Sequence, residues 1–147
     1  MKPKNYKLPA DAFEPIIKTP VKTPEVIEQA LRRFKEVDIA SEQVSYADMP
    51  TFTGAVVTTE DDIKAAVLIS FSPQYENMGV SFIPCNIPVA FSAKEALEYP
   101  YNTDPIMVPF GDNAVDRLYD AIHETCMDAH EYYLEGLLDL DDQLEIQ

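Results

Sequence analysis

Five carboxylates recur at intervals of four near the C-terminal end of the chain: Asp112, Asp116, Asp120, Glu124 and Asp128. After one step of three the series continues with Glu131, Glu135 and Asp139. A helix turns about 100° and rises 1.5 Å per residue, so this spacing lays the carboxylates along one stripe with neighbours about 6 Å apart. That separation is close to the phosphate spacing of a nucleic-acid strand. Arg117 is the only lysine or arginine between residues 112 and 139, so pairing within the helix does not neutralise the stripe. Like charges at i and i+4 cost a helix a few tenths of a kcal/mol each. The chemistry such a row offers is electrostatic. It attracts a basic protein surface, speeds encounter and weakens as salt rises. The competing reading is the ordinary solvated face of an amphipathic helix.

The same segment carries His123, Cys126 and His130, spaced i, i+3 and i+7. Cysteine and histidine suit zinc, and adjacent helical turns can present them together. One helix rarely supplies three ligands to one ion, so Asp116, Asp120 or another subunit would have to complete the site. A packed helix edge is the simpler expectation, and no metal or cofactor is expected. Catalytic signatures are lacking: there is no G-x-x-x-x-G-K, G-x-G-x-x-G, G-x-S-x-G or H-E-x-x-H. His123-Glu124-Thr125-Cys126-Met127 begins like the last of these but has no second histidine. Cys85 could act as a nucleophile only with a histidine brought near by folding. Carboxylate pairs suited to glycoside hydrolysis are not excluded by spacing, because acids are abundant throughout. No residue is assigned a catalytic role, and the expectation is a binding protein.

The elements that would position the stripe read as follows. Val115, Leu118, Tyr119, Ile122, Cys126, Ala129 and Tyr133 recur at three and four residues and predict a helix. It starts at Asp112 or Asn113 and ends near Leu134, with Gly136 as its stop. A first helix is expected from Thr23, as cap, and Pro24 at the first helical position. Its apolar face is Val26, Ile27, Ala30, Leu31, Phe34 and Val37. Residues 51–59, 63–71 and 79–83 read as strands, with Glu60-Asp61-Asp62 as a hairpin turn. Residues 42–46 could add a short edge strand. Six prolines between residues 73 and 109 mark loops and edge pieces. Within them Ser92 and Glu95 form a capping box for a short helix, and residues 106–110 return to the sheet edge. The expected fold is α+β: an antiparallel sheet of three to five strands, packed on one face by an N-terminal helix, a short middle helix and a long C-terminal helix. The expected organisation is a proline-rich basic arm over residues 1–23, one domain over 24–138 and an acidic tail over 139–147. Exposed loop tyrosines at 75, 99 and 101 are alternative interface anchors.

Charge is strongly asymmetric. Residues 1–35 carry eight basic and four acidic residues; residues 36–147 carry three basic and 22 acidic ones, and the whole chain is −15. Such a body repels nucleic acid and anionic membranes and attracts basic surfaces. The apolar fraction of 46% supports a real core. No stretch approaches the roughly 20 apolar residues of a membrane span. The basic first residues lead into no apolar segment, so the cytoplasm is the expected location. The two cysteines, Cys85 and Cys126, match no metal or redox spacing and are expected as free thiols.

In charge and size alone, the chain resembles viral inhibitors of host defence and other DNA mimics. That resemblance implies a non-enzymatic inhibitor that occupies the basic surface of a nucleic-acid-handling protein without binding nucleic acid itself. The partner-binding residues would be Asp112, Asp116, Asp120, Glu124, Asp128, Glu131 and Glu135. The order helix–strands–helix–strands–helix is also similar to that of bacterial secretion chaperones, which are small, acidic and α+β. It departs from them in its proline-rich arm and in lacking a clear second hairpin before the last helix. That alternative, a chaperone or assembly adaptor, implies a homodimer with an apolar groove.

Overall fold

The computed structural model describes residues 17–45, 49–72, 76–83, 92–98 and 105–146, with side chains described as far as residue 135. The elements run β1 (Lys18–Pro20), α1 (Glu25–Leu31), β2 (Glu36–Val44), β3 (Thr51–Thr58), β4 (Lys64–Ser72), β5 (Asn77–Phe82), α2 (Ala93–Glu98), β6 (Ile106–Pro109) and α3 (Ala114–Ile146). The fold is α+β, as expected. The six strands form one antiparallel sheet in sequence order, β1 to β6. Two segments differ from expectation, and the second of them, β1, supplies the sixth strand.

The first is α1. It ends at Leu31, short of Phe34 and Val37. Two tight i to i−3 bonds close it, from Arg33 N to Ala30 O at 3.3 Å and from Phe34 N to Leu31 O at 3.2 Å. Beyond them Val37 and Ile39 alternate with Glu36, Asp38 and Ala40, and this period of two belongs to a strand. β2 is therefore nine residues long and lies between β1 and β3, where only a short edge strand over 42–46 was expected. The cap also differs. Pro24 occupies the N-cap position without a side-chain cap, while Thr23 Oγ1 instead shares a 2.8 Å hydrogen bond with Ser41 Oγ. Ser41 Oγ in turn meets Thr53 Oγ1 at 2.7 Å, tying the entry to α1 onto β2 and β3.

The second is β1, which forms inside the proline-rich segment. Ser45 N donates to Ile17 O at 3.0 Å and Val21 N to Ser41 O at 3.1 Å. Antiparallel bonding alternates, so Lys18 and Pro20 turn their backbone groups away from β2. The same alternation governs the opposite edge. Phe110 N donates to Glu76 O at 3.0 Å, which aims Val108 and Ile106 at β5 and turns Met107 and Pro109 outward. Both edges of the sheet thus place a proline where its missing N–H faces away from the sheet, a position that blunts further strand pairing.

The β3–β4 turn forms at Glu60-Asp61-Asp62 as expected. Asp62 adopts φ 63°, a left-handed conformation aspartate tolerates better than most residues. The Asp62 carboxylate also bonds Lys35, and holds its ammonium above the usual range.

The helices cover both faces, where one was expected, because α2 packs on the side opposite α1 and α3. On one face, α2 lies so close to β3 that a Cβ on Gly54 would stand 2.4 Å from Ala93 O. The capping box is present, with Glu95 N to Ser92 Oγ at 3.2 Å and Ser92 N to Glu95 Oε1 at 3.3 Å. Asp38 of β2 accepts from Ala93 N at 2.8 Å and fixes α2 to the sheet. On the other face α1 and α3 lie side by side. Ile27, Ala30 and Leu31 of α1 pack with Leu118, Ile122, Cys126 and Ala129 of α3 over Val57, Val67, Ile69, Met78 and Val80.

α3 is longer than expected. It passes through Gly136 and runs to Ile146. A mid-helix glycine costs about 1 kcal/mol, which the leucine- and glutamate-rich flanks tolerate. At 1.5 Å per residue the helix is about 50 Å long, roughly twice the width of six strands. No helix among the described residues is long and apolar enough to cross a membrane.

Candidate functional site

α3 is amphipathic as the spacing predicts. Leu118, Ile122, Cys126, Ala129 and Tyr133 are buried, while Val115 and Tyr119 pack at the core margin. Ala121 and Thr125 are buried too, which widens the apolar face beyond the predicted stripe. Thr125 satisfies its hydroxyl by donating to Ala121 O at 2.7 Å. The helix is held between Tyr119 and Tyr133: Phe34 of the α1–β2 turn packs on Tyr119 with ring centroids 4.8 Å apart, Phe82 packs on Tyr132 at 5.6 Å, and Tyr133 Oη donates to Ile83 O at 3.4 Å.

Burial of that face leaves the carboxylate stripe outside. Asp112, Asp116, Asp120, Glu124, Asp128, Glu131 and Glu135 are all exposed, but α3 begins only at Ala114, so Asp112 lies in the turn before it and not on the helix face as expected. Asp139 lies in α3 beyond the last described side chain. Asp116 departs from the rest of the stripe: Arg33 Nη1 stands 2.8 Å from its Oδ1, and the guanidinium lies 5.8 Å from the Tyr119 ring centroid. Sequence reasoning missed this pair, because the two residues are 83 positions apart and nothing in the linear pattern joins them. Among the described residues no ion pair reaches Asp120, Glu124, Asp128, Glu131 or Glu135. The unpaired run therefore begins one turn after Asp116 and extends along a helix held firmly from beneath.

Beside this run lies a groove of about 370 Å³, open along the β6 edge. Ile106 and Val108 of β6 and Ala121 of α3 give it an apolar floor, and Arg117, Asp120 and Glu124 border it on the α3 side. Met107, on the outer edge, is 53% exposed. The expected return of residues 106–110 to the sheet edge is what creates this groove, although the groove itself was not foreseen.

The three weak metal candidates separate. Cys126 points into the core, and burial pushes its thiol up to about 12 from the usual 9.0, far from a metal-binding thiolate. His123 and His130 are half-buried on the flanks, with His123 6.3 Å from the Tyr119 ring. Among the described residues no three histidine, cysteine, aspartate or glutamate side chains come together as a metal site. Cys85 and the tyrosines at 75, 99 and 101 lie outside the described residues.

What the arrangement offers is a line of exposed carboxylates with a partly apolar cleft at its side. No family model, no curated protein and no solved structure matches the chain significantly.

Proposed function

We propose that this chain is a non-enzymatic protein-binding module whose α3 carboxylates occupy a basic surface of a nucleic-acid-handling protein. The observation that carries this reading is the exposure of six carboxylates, from Asp116 to Glu135, on one face of α3, with Arg33 neutralising only Asp116; Asp112 is exposed in the turn before the helix. A row of charges about 6 Å apart along a helix matches the phosphate rhythm a basic groove already accommodates. Because the helix is fixed before binding, little ordering is needed on association. Blunted sheet edges further favour the helix face over strand pairing as the contact surface.

The test is competition. The tagged chain captures its partner from lysate at low salt, and duplex DNA is then added in excess. Release of the partner by DNA, but not by a neutral polymer, is the expected result. A partner that binds DNA and this chain simultaneously would contradict charge mimicry.

A further inference from the structure

We infer that the groove between β6 and α3 is the anchor point of this surface, and that it takes an arginine or lysine side chain of the partner flanked by aliphatic residues. The inference rests on the reading of α3 given above and deepens it. The groove has two chemically different parts. Its floor, from Ile106, Val108 and Ala121, is apolar, while Asp120, Glu124 and Arg117 stand at its border, two carboxylates against one guanidinium. A long basic side chain has the same two parts: its methylene stem covers apolar surface while its head seeks carboxylates. Asp120 and Glu124 lie one helical turn apart, about 6 Å along the axis, so one guanidinium can reach both. Among the described residues neither carboxylate has an ion-pair partner, and a chain of net charge −15 draws cations to that border.

The edge strand sets the mode of entry. Met107 supplies the single outward N–H of β6, because Pro109 turns its missing N–H the same way. A partner strand would find one donor over four residues, too few to hold it by backbone pairing. The partner therefore inserts side chains across the groove rather than extending the sheet.

The experiment uses the full chain and two blocked pentapeptides of equal charge, one alternating leucine with arginine and one alternating glycine with arginine. Affinities are measured by calorimetry or NMR titration for wild type and two double variants. One variant neutralises the groove border (Asp120→Asn with Glu124→Gln). The other neutralises the same stripe farther along (Asp128→Asn with Glu131→Gln). All four residues are exposed, so both variants should fold. The expected result is tighter binding of the leucine peptide, weakened about tenfold by the border variant and less than about threefold by the distal one. Equal losses from the two variants would overturn the anchor while leaving the stripe as the contact surface. Equal affinity for the two peptides would overturn the apolar half of the inference. Failure of the leucine peptide to bind wild type would overturn the anchor outright, and the DNA competition above would still decide the wider reading separately.

Discussion

Arg33 and Asp116 meet at 2.8 Å, fastening the residue just beyond the end of α1 to the first turn of α3. The contact is partly exposed, at 45% for the arginine and 61% for the aspartate. It also carries the guanidinium onto Tyr119. Arg33→Ala should therefore cost only about 0.5–1 kcal/mol, combining a solvent-screened ion pair with an exposed cation–π contact. Asp116→Asn should cost less, since the aromatic contact survives. Urea denaturation of both single variants and the double variant measures the coupling.

Among the described glycines, Gly54 leaves the least room for a methyl group. Its added Cβ would meet Ala93 O at 2.4 Å and Leu97 N at 3.0 Å, both backbone atoms that move only if α2 moves. Gly54→Ala should destabilise by about 1–3 kcal/mol through overpacking. Hydrogen exchange should show the loss of protection concentrated in residues 93–98.

Cys126 sets a high-pH limit. Folding holds its thiol in the neutral form, with its pKa raised by burial from 9.0 to about 12. The raised value means the contribution is fully present below pH 9 and is lost as pH climbs toward about 12, because the unfolded chain releases its proton first. At pH 9 iodoacetamide should leave the Cys126 peptide unmodified in the native protein and modify it in guanidinium. Peptide mapping reads this site independently of Cys85.

Neutralising the stripe should not unfold the protein. Replacing Asp120, Glu124 and Asp128 with their amides removes like-charge pairs at i and i+4, each worth a few tenths of a kcal/mol. The triple variant should melt at or above the wild-type temperature, with the largest gain below about 50 mM salt, where screening is weakest. A drop in melting temperature would mean that these carboxylates support the fold rather than face solvent.

The sequence made α3 legible because one pattern recorded both faces. Leu118, Ile122, Cys126, Ala129 and Tyr133 face the core at the spacing that puts Asp116, Asp120, Glu124 and Asp128 outside. The β3–β4 hairpin and the Ser92–Glu95 box were legible for the same local reason. The end of α1 was not, because Val37 fits both a helical series with Ile27, Ala30, Leu31 and Phe34 and a strand alternation with Ile39. β1 escaped because three residues ending in proline carry no strand signal, and only pairing with residues 42–44 makes them a strand. Gly136 misled because a glycine stops a helix only where the chain turns left-handed beyond it, and here the helix continues. The Arg33–Asp116 pair and the groove beside β6 belong to tertiary structure, with no counterpart in local spacing.

The central claim is that the α3 carboxylates form the contact surface. The most direct measurement is capture from lysate by the tagged wild type and by the quadruple variant Asp116→Asn, Asp120→Asn, Glu124→Gln and Asp128→Asn, at about 50 mM and 500 mM salt. The account predicts a basic, nucleic-acid-handling protein held by wild type, released at high salt and missed by the folded variant. A partner retained equally by the variant at both salt concentrations would contradict it.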